Sequence, residues 1–252
     1  MRLLTVARDL RRRRGRERQQ LFIVEGVRAI EELLRSSLTI RGALATDRLA
    51  TNARGASLME AIIARNVETA HVSDEELASA AEAESSQGIL AIAEVPIRNV
   101  EALATPANAR LLVLDAVQDP GNVGALLRTA AALGVSATIA LPGTADLWNA
   151  KVVRGAMGAH FHHFAIALTV DELADFLGQR GIPLWAADQH GDPLTSARPL
   201  GPLAIAVGNE GSGLSPAIRQ RAVRLVSLPI EQAVESLNVA VAAGILLYEL
   251  RA

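Results

Sequence analysis

The chain has 252 residues and a net charge of −2, a length that suits one large domain or two ordinary ones. Half of the residues are hydrophobic and only 3% are aromatic, so we expect a core of Ala, Leu, Val and Ile, which suits helices on a parallel sheet. The absence of cysteine excludes disulfides, thiolate catalysis and cysteine-ligated metals. No apolar run approaches the roughly 20 residues that cross a bilayer. These features lead us to expect a cytoplasmic protein.

The charge is distributed unevenly along the chain. The first 20 residues hold eight arginines against Asp9 and Glu17, a net of +6, so the remainder carries −8. Such asymmetry indicates a polyanion-binding arm, and arginine can grip phosphate with two parallel hydrogen bonds. A solvated helix face combined with biased codon usage is the alternative explanation. The arginines predicted to contact RNA are Arg8, Arg11, Arg12, Arg13, Arg14, Arg16 and Arg18.

The first 95 residues read as a small alternating α/β unit. Ser73 followed by Glu76 is a clear helix start of the capping-box type. The proline-containing residues 96–110 are interpreted as a linker. Predicted helices cover residues 1–20, 56–65 and the stretch after Ser73, residues 24–34 run from a strand or turn into a helix, and predicted strands cover residues 40–45, 69–72 and 88–95.

Residues 111–252 form the second predicted domain. Apolar strands alternate with helices, which predicts a parallel sheet with helices on both faces. In such sheets ligands bind at the carboxyl ends of the strands. Predicted strands cover residues 111–115, 138–141, 163–167, 183–187, 203–207 and 225–228, and predicted helices include residues 125–133 and 239–250.

Three loops at those strand ends hold most of the candidate functional residues. The first covers residues 118–124 and leads into the helix that carries Arg128. Pro120 and Gly121 are typical of a tight turn, and Asn122 can cap the helix through its side chain. Read alone, this stretch also fits a capped helix with one exposed arginine.

The second and third loops follow the last two predicted strands. Three glycines in residues 208–213 let backbone amides approach a ligand, and Glu210 among them can hold a hydroxyl, an amine or an arginine. Ser236 and Asn238 are polar residues at the start of an otherwise apolar helix. Each loop alone also fits an ordinary turn or a helix cap. Their combination and order are therefore the informative feature.

In chain order, the Pro-Gly-Asn turn with Arg128, the Gly-Asn-Glu-Gly-Ser-Gly stretch and the Leu-Pro…Glu-Ser-Leu-Asn-Val stretch resemble the three motifs of the SpoU/TrmH group of SPOUT methyltransferases. The resemblance covers residues 111–252. One departure lies before Ser236, where Gln232 and Ala233 replace the family's usual glycine pair. The shape of the loop expected to hold the cofactor therefore does not follow from the resemblance.

The N-terminal unit is similar to the RNA-binding extension of the same family, a small ribosomal-protein-like α/β domain. The arginine-rich helix, residues 22–26 and Gln87-Gly88 carry this second similarity. The resemblance implies a deep trefoil knot in the catalytic domain, a homodimer, and transfer of a methyl group to a ribose 2′-hydroxyl of structured RNA. Ribosomal RNA is favoured because an appended N-terminal RNA-binding domain is common in the ribosomal branch.

The resemblance also implies roles for individual residues. S-adenosyl-L-methionine is the implied cofactor, and Arg128 is implied to act on the ribose hydroxyl. Because arginine normally stays charged, we expect it to position a phosphate and stabilise developing negative charge rather than serve as a base. The predicted catalytic residues are Arg128, Asn122, Glu210, Ser236 and Asn238, and the predicted cofactor-binding residues are Val207, Gly208, Gly211, Leu228, Ile230 and Leu237.

The histidines and the short motifs bear on the alternative functions. His160, His162 and His163 are interpreted as a strand edge rather than a metal site, because no acidic partner is nearby. Neither a dinucleotide-binding Gly-x-Gly-x-x-Gly nor a P-loop Gly-Lys-Ser/Thr is present. A methyltransferase acting on transfer RNA, or a non-catalytic RNA-binding protein with an inert knotted domain, remain the competing hypotheses.

Overall fold

The computed structural model describes residues 2–83, 86–194, 199–231 and 236–251. Gln232 and Ala233, which replace the expected glycine pair, lie outside these ranges. In chain order the elements are α1 (Arg2–Leu10), α2 (Arg13–Gln19), β1 (Leu21–Glu25), α3 (Val27–Arg35), β2 (Ile40–Ala45), α4 (Ala53–Ala64), β3 (Thr69–His71), α5 (Asp74–Ala80), β4 (Ile89–Glu94), β5 (Arg110–Leu114), α6 (Pro120–Ala132), β6 (Ala137–Ala140), α7 (Ala150–Gly155), β7 (Ala165–Ala167), α8 (Val170–Arg180), β8 (Leu184–Pro193), β9 (Leu203–Val207), α9 (Pro216–Arg221), β10 (Arg224–Ser227) and α10 (Val239–Glu249). Within the described residues, no helix combines the length and apolar character needed to span a bilayer.

The chain divides into two compact units. The first contains Met1–Ile97 together with Trp148–His162, and the second contains Arg98–Leu147 together with His163–Ala252. The predicted domain limits at residues 95 and 111 place residues 148–162 in the second domain. In the structure this segment belongs with the first unit because Trp148 packs on Phe22, with ring centroids 4.5 Å apart.

The first unit is built on a four-stranded mixed sheet of order β1-β4-β2-β3. β4 runs antiparallel to both of its neighbours, and β2 and β3 are parallel. α5 begins with the predicted capping box, in which Ser73 and Glu76 bond each other's backbone N–H.

The arginine-rich segment forms two helices, and the prediction of one helix over residues 1–20 was wrong. α1 ends at Leu10, and the chain turns at Arg12, which has an extended backbone. Arg16 donates to the backbone oxygens of Leu10 (2.8 Å) and Arg11 (3.1 Å), which would otherwise be unpaired at the end of α1. Gly15 allows the close approach, because a Cβ there would lie 2.1 Å from the oxygen of Asp9.

The second unit contains a six-stranded sheet of order β10-β8-β9-β5-β6-β7, in which every neighbouring pair is parallel. Every residue of β5, β6 and β9 is buried. Alternate residues of a strand point to opposite faces, so burial of both sets requires packed elements on both faces. The predicted α/β architecture with a parallel sheet is confirmed.

Two boundaries near the strand ends differ from the predictions. α6 begins at Pro120 instead of residue 125, because the Asp119 side chain caps the helix by accepting from the N–H of Asn122 (2.9 Å). The predicted loop therefore forms the first helical turn, with proline at a position where no N–H is needed. β8 runs six residues past its predicted end at residue 187, and it pairs with β10 through a register shift.

The stretch predicted as a linker is partly built into the second unit. Val100–Ala102 forms a 3-10 turn, and Leu103 is buried in the core beside the sheet. Arg98 donates to the backbone oxygen of His163 and lies over the Phe164 ring. Residues 98–103 are therefore anchored by these contacts.

Candidate active site and cofactor cavity

A cavity of about 700 Å³ lies where β8, β9 and β10 lead into their loops. Its volume falls within the range of small-molecule sites, which is about 300–1,000 Å³. The glycine loop after β9 and the segment before α10 both contribute to its wall. All six predicted cofactor-binding residues line it, together with three of the predicted catalytic residues: Val207, Gly208, Gly211, Leu228, Ile230, Leu237, Glu210, Ser236 and Asn238.

Hydrogen bonds join the three predicted loops beside this cavity. The Glu210 carboxylate accepts from the side-chain amide of Asn122 at 2.9 Å and from the backbone N–H groups of Gln118 (3.2 Å) and Asp119 (3.3 Å). The Asn122 carbonyl in turn accepts from the side-chain amide of Asn238 at 3.0 Å. Residues far apart in sequence thus form one continuous network.

Asn238 also defines the start of α10. Its side-chain oxygen accepts from the backbone N–H groups of Ala240 (2.9 Å) and Val241 (3.4 Å), which makes it the N-cap. Both functional groups of this amide are therefore in use, one within the helix and one in the network. The cap and the site role considered separately in the sequence are filled by the same side chain.

The network keeps Glu210 ionised. Partial burial alone would raise the pKa of Glu210, but hydrogen bonds from Asn122 and from the backbone of Glu210, Gln118 and Asp119 outweigh it, and the net pKa is lowered. A carboxylate at this position is therefore an acceptor at neutral pH and does not supply a proton.

The glycine loop after β9 is held by a side chain that the sequence reasoning did not single out. The Asn209 carbonyl accepts from the N–H groups of Gly211 and Ser212, both at 2.9 Å, and its amide donates to the oxygen of Ala116 at 2.9 Å. Gly208 permits the tight closure, because a Cβ there would lie 2.4 Å from the carbonyl carbon of Gly213. An Asn inside a glycine-rich turn was the available signal.

Arg128 lies on α6, in the helix that starts at the network. Its side chain is exposed, and among the residues that the structure describes no hydrogen bond or ion pair of its guanidinium is found. The guanidinium is thus available to an external anion. Arg128 and Asn122 do not line the cavity itself, and Asn122 reaches it only through Glu210 and Asn238.

Three further residues of the cavity wall were missed in the sequence. The Asp188 side chain is only 5% exposed and pairs with Arg219 of α9. Its carboxylate also accepts from the backbone N–H of His190 at 2.9 Å. They were missed because β8 was predicted to end at residue 187, and no motif marks Arg219.

The predicted RNA-binding arginines differ in their surroundings. Arg16 is only 5% exposed and bonds the end of α1, which contradicts its predicted role at an RNA surface. The remaining six are exposed. Four of these also have partners within the unit: Arg8 with the Ser79 hydroxyl (2.8 Å), Arg11 with the Ser79 carbonyl (3.0 Å), Arg13 with Glu17 (2.7 Å) and Arg18 with Asp9 (2.8 Å).

His160 and His163 are buried and contact neighbouring side chains. His163 shares a 2.8 Å hydrogen bond with the Thr138 hydroxyl, and burial, followed by the charge of Arg98, lowers its pKa to about 4. His160 lies against Trp148, with ring centroids 4.0 Å apart. No group of three or more potential metal-ligating side chains is found over the described parts of the chain.

Two protein-family models match this chain, and known methyltransferases are similar to it. The SpoU rRNA methylase family model matches residues 109–248, and the model of the MRM3-like substrate binding domain matches residues 5–91. The 23S rRNA (guanosine(2553)-2′-O)-methyltransferase RlmP of Bacillus subtilis (strain 168) is 33% identical over 245 residues, which cover 97% of this chain and 94% of that protein.

Two solved structures are similar over nearly the whole chain. The SpoU methyltransferase AviRb from Streptomyces viridochromogenes, in complex with the cofactor AdoMet, has a TM-score of 0.88 at 27% identity, covering 98% of this chain and 96% of that one. A structure described as an RNA 2′-O ribose methyltransferase has a TM-score of 0.84 at 31% identity, covering 98% and 94%. The resemblance seen in the sequence is confirmed. The chain belongs to the SpoU rRNA methylase family and is an S-adenosylmethionine-dependent RNA methyltransferase.

Proposed function

We propose that this protein methylates a ribose 2′-hydroxyl of large-subunit ribosomal RNA. The observation that carries the proposal is the hydrogen-bonded chain Glu210–Asn122–Asn238 beside the cavity. It holds three loops together at one edge of the parallel sheet, where ligands of such folds bind. The RlmP relative acts on a guanosine ribose of 23S rRNA, as its name states, and we extend that substrate class to this chain.

The cavity residues suit S-adenosylmethionine. Val207, Leu228 and Leu237 offer backbone groups and apolar side chains, and Gly208 permits the close approach to Gly213 that shapes the loop along the wall. The buried Asp188 carboxylate adds a hydrogen-bond acceptor in the wall. When bound, the cofactor supplies an electrophilic methyl group on a sulfonium.

The chain's own residues orient the RNA and stabilise charge. Arginine is a cationic side chain with five N–H donors, so we assign Arg128 to hold a substrate phosphate and to stabilise negative charge developing on the 2′ oxygen. Asn122, Glu210 and Asn238 join the first turn of α6 to the start of α10, and Ser236 lines the cavity beside them. Their role is to position, because Glu210 is ionised and already accepts three hydrogen bonds.

Incorporation of labelled methyl groups into 23S rRNA tests this proposal. The wild-type chain should label 23S rRNA, whereas Arg128→Ala should lower turnover about 10²- to 10³-fold. Calorimetry should show unchanged S-adenosylmethionine binding by that variant. Labelling of transfer RNA alone would overturn the ribosomal assignment. Cofactor binding without transfer to any RNA would instead support a non-catalytic RNA-binding protein.

We further propose that the protein works as a cytoplasmic homodimer through α10. Val241, Ile245 and Tyr248 of this helix are 51%, 41% and 52% exposed, although Leu246 and Leu247 are buried. Such an apolar exposed face is typical of an interface. Ile245→Asp should therefore shift sedimentation from dimer to monomer, and a monomeric wild-type chain would contradict the proposal.

Two structural expectations are kept as part of the same proposal. The first is that residues 1–95 bind RNA while residues 111–252 carry the catalytic site. The second is that the loops after β9 and β10 thread into the trefoil knot that the family resemblance implies. A crystal structure with S-adenosylmethionine bound, in which neither loop is threaded, would overturn the second.

A further inference from the structure

The first unit contains a cavity of about 910 Å³, distinct from the cofactor cavity. It lies where β1 meets α3, and its wall also includes the 3-10 turn Asp47–Thr51, the start of α4 and the end of α7. Arginines and carboxylates dominate the charged part of the wall. A cleft of this size and composition is suited to a polar ligand.

Each carboxylate in this wall already has an arginine of its own. Arg154 donates to Glu25 at 3.1 Å, and Glu25 also accepts from the backbone N–H groups of Glu82 and Ala83. Arg54 bonds both oxygens of Glu31, and this hydrogen bond is the main cause of a lowered Glu31 pKa. The acidic side of the wall is therefore neutralised from within the protein.

Glu32 completes the set, because it pairs with Arg35 on the next turn of α3. Two arginines of the wall, Arg28 and Arg48, are left over. Both are exposed, and neither makes a hydrogen bond or an ion pair with any residue that the structure describes. The residues that line the cavity include four arginines and three carboxylates, so the wall carries an excess of one positive charge, or two when Arg35 is counted with Glu32.

A neutral donor lies in the same wall. The side-chain oxygen of Gln87 accepts from the backbone N–H of Val27 at 2.8 Å, which leaves its NH₂ group to donate. Gly26 makes room for this contact, because a Cβ there would lie 3.1 Å from the Gln87 oxygen. Two guanidinium groups and an amide donor are the groups that recognise a phosphate and a base edge.

We propose that this cavity binds the phosphodiester backbone of an unpaired segment of the substrate RNA, with Arg28 and Arg48 as its phosphate contacts. The inference rests on the proposed function, since it takes RNA as the substrate. It names a second contact region of the first unit, separate from the N-terminal arginines. Those arginines differ because four of the exposed ones are shared with protein partners.

Two charge-matched double variants test the cavity. Arg28→Gln/Arg48→Gln removes the unpaired charges, and Arg2→Gln/Arg65→Gln removes two exposed charges of the same unit that do not line the cavity and have no ion pair among the described residues. Binding of in vitro transcribed 23S rRNA is measured between 50 and 300 mM KCl. Thermal unfolding followed by circular dichroism serves as the folding control for both proteins.

We expect the cavity variant to bind the RNA about tenfold more weakly at 150 mM salt, with a salt slope reduced by about 1.5, while the control pair changes less than twofold. Equal losses in the two variants would overturn the cavity assignment, since only net charge would then matter. Binding of guanosine monophosphate as tight as that of the RNA would also overturn it. If the wild type neither binds nor methylates 23S rRNA, the proposed function itself fails, an outcome separate from a cavity variant that behaves like its control.

Discussion

Two regions rich in predicted functional residues behave in opposite ways. At the cofactor cavity, Asn122, Glu210 and Asn238 come from three separate loops and bond one another. In the N-terminal segment, the predicted residues are neighbours in sequence, yet Arg16 is buried and others pair within the unit. Order and spacing of motifs brought distant residues together, whereas a local excess of arginine was divided among exposed, paired and buried side chains.

The physical reason is that the motifs restrict backbone conformation, whereas an excess of arginine does not restrict which partners the side chains find. A glycine loop at a strand end and an amide at a helix start can occupy only a few backbone conformations, so their positions follow from the fold. An arginine side chain is long and has five donors, and it satisfies carbonyls or carboxylates wherever they are near. Arg16 illustrates this, because its guanidinium completes the end of α1.

A large effect is expected at Gly208 in the loop after β9. Gly208→Ala should lower S-adenosylmethionine affinity at least tenfold, because the added Cβ would lie 2.4 Å from the Gly213 carbonyl carbon and force the loop open. Gly178→Ala in α8 is the matched control, since Gly178 does not line the cofactor cavity and an added Cβ there would meet no atom of the described residues outside its own helix within 4 Å. Calorimetric titration measures both. Equal affinities for the two variants would contradict the described loop closure.

A smaller effect distinguishes two arginines of the N-terminal segment. Arg16→Ala should lower the free energy of unfolding by about 1–3 kcal/mol, because it leaves carbonyls at the end of α1 without a donor. Arg14→Ala, at an exposed position, should change it by less than about 0.5 kcal/mol. Denaturant unfolding gives both values. The reverse ranking would show that the turn between α1 and α2 does not depend on Arg16.

The smallest expected effect concerns acid stability of the loop network. The pKa of Glu210 is lower in the folded chain than the ordinary value of a glutamate, so its contribution to stability is fully present above that ordinary value and is lost as the pH falls through the folded pKa. Glu210→Gln should remove this part of the pH dependence, a difference of less than about 2 °C in the thermal midpoint. If the thermal midpoints of the two proteins change in parallel between pH 3 and 7, Glu210 does not cause this part of the acid dependence.

Regular elements were largely predictable from the sequence. The strand over residues 203–207, the strand over residues 40–45 and the capping box at Ser73 all occur as predicted, since each depends on local patterns. The convergence of the three loops followed from strand alternation and from the family resemblance. Their hydrogen-bond partners could not be read from the sequence, because they join residues about 90 to 120 positions apart.

Other features depended on tertiary contacts that no local pattern reveals. Asp119 and Pro120 suggest a turn as readily as a helix start, so the beginning of α6 was placed too late. The extension of β8 arises from pairing with β10, and the buried Asp188 lies in that extension. Trp148–His162 likewise belongs to the first unit because Trp148 packs against Phe22.

The amide of Asn238 links two properties that are usually measured separately. It starts the helix whose apolar side is exposed, and it is bonded to the network beside the cavity. A ligand that holds Asn238 in place therefore also fixes the first turn of α10, the helix proposed to pair the subunits. By thermodynamic reciprocity, if cofactor binding strengthens self-association by some factor, self-association strengthens cofactor binding by the same factor.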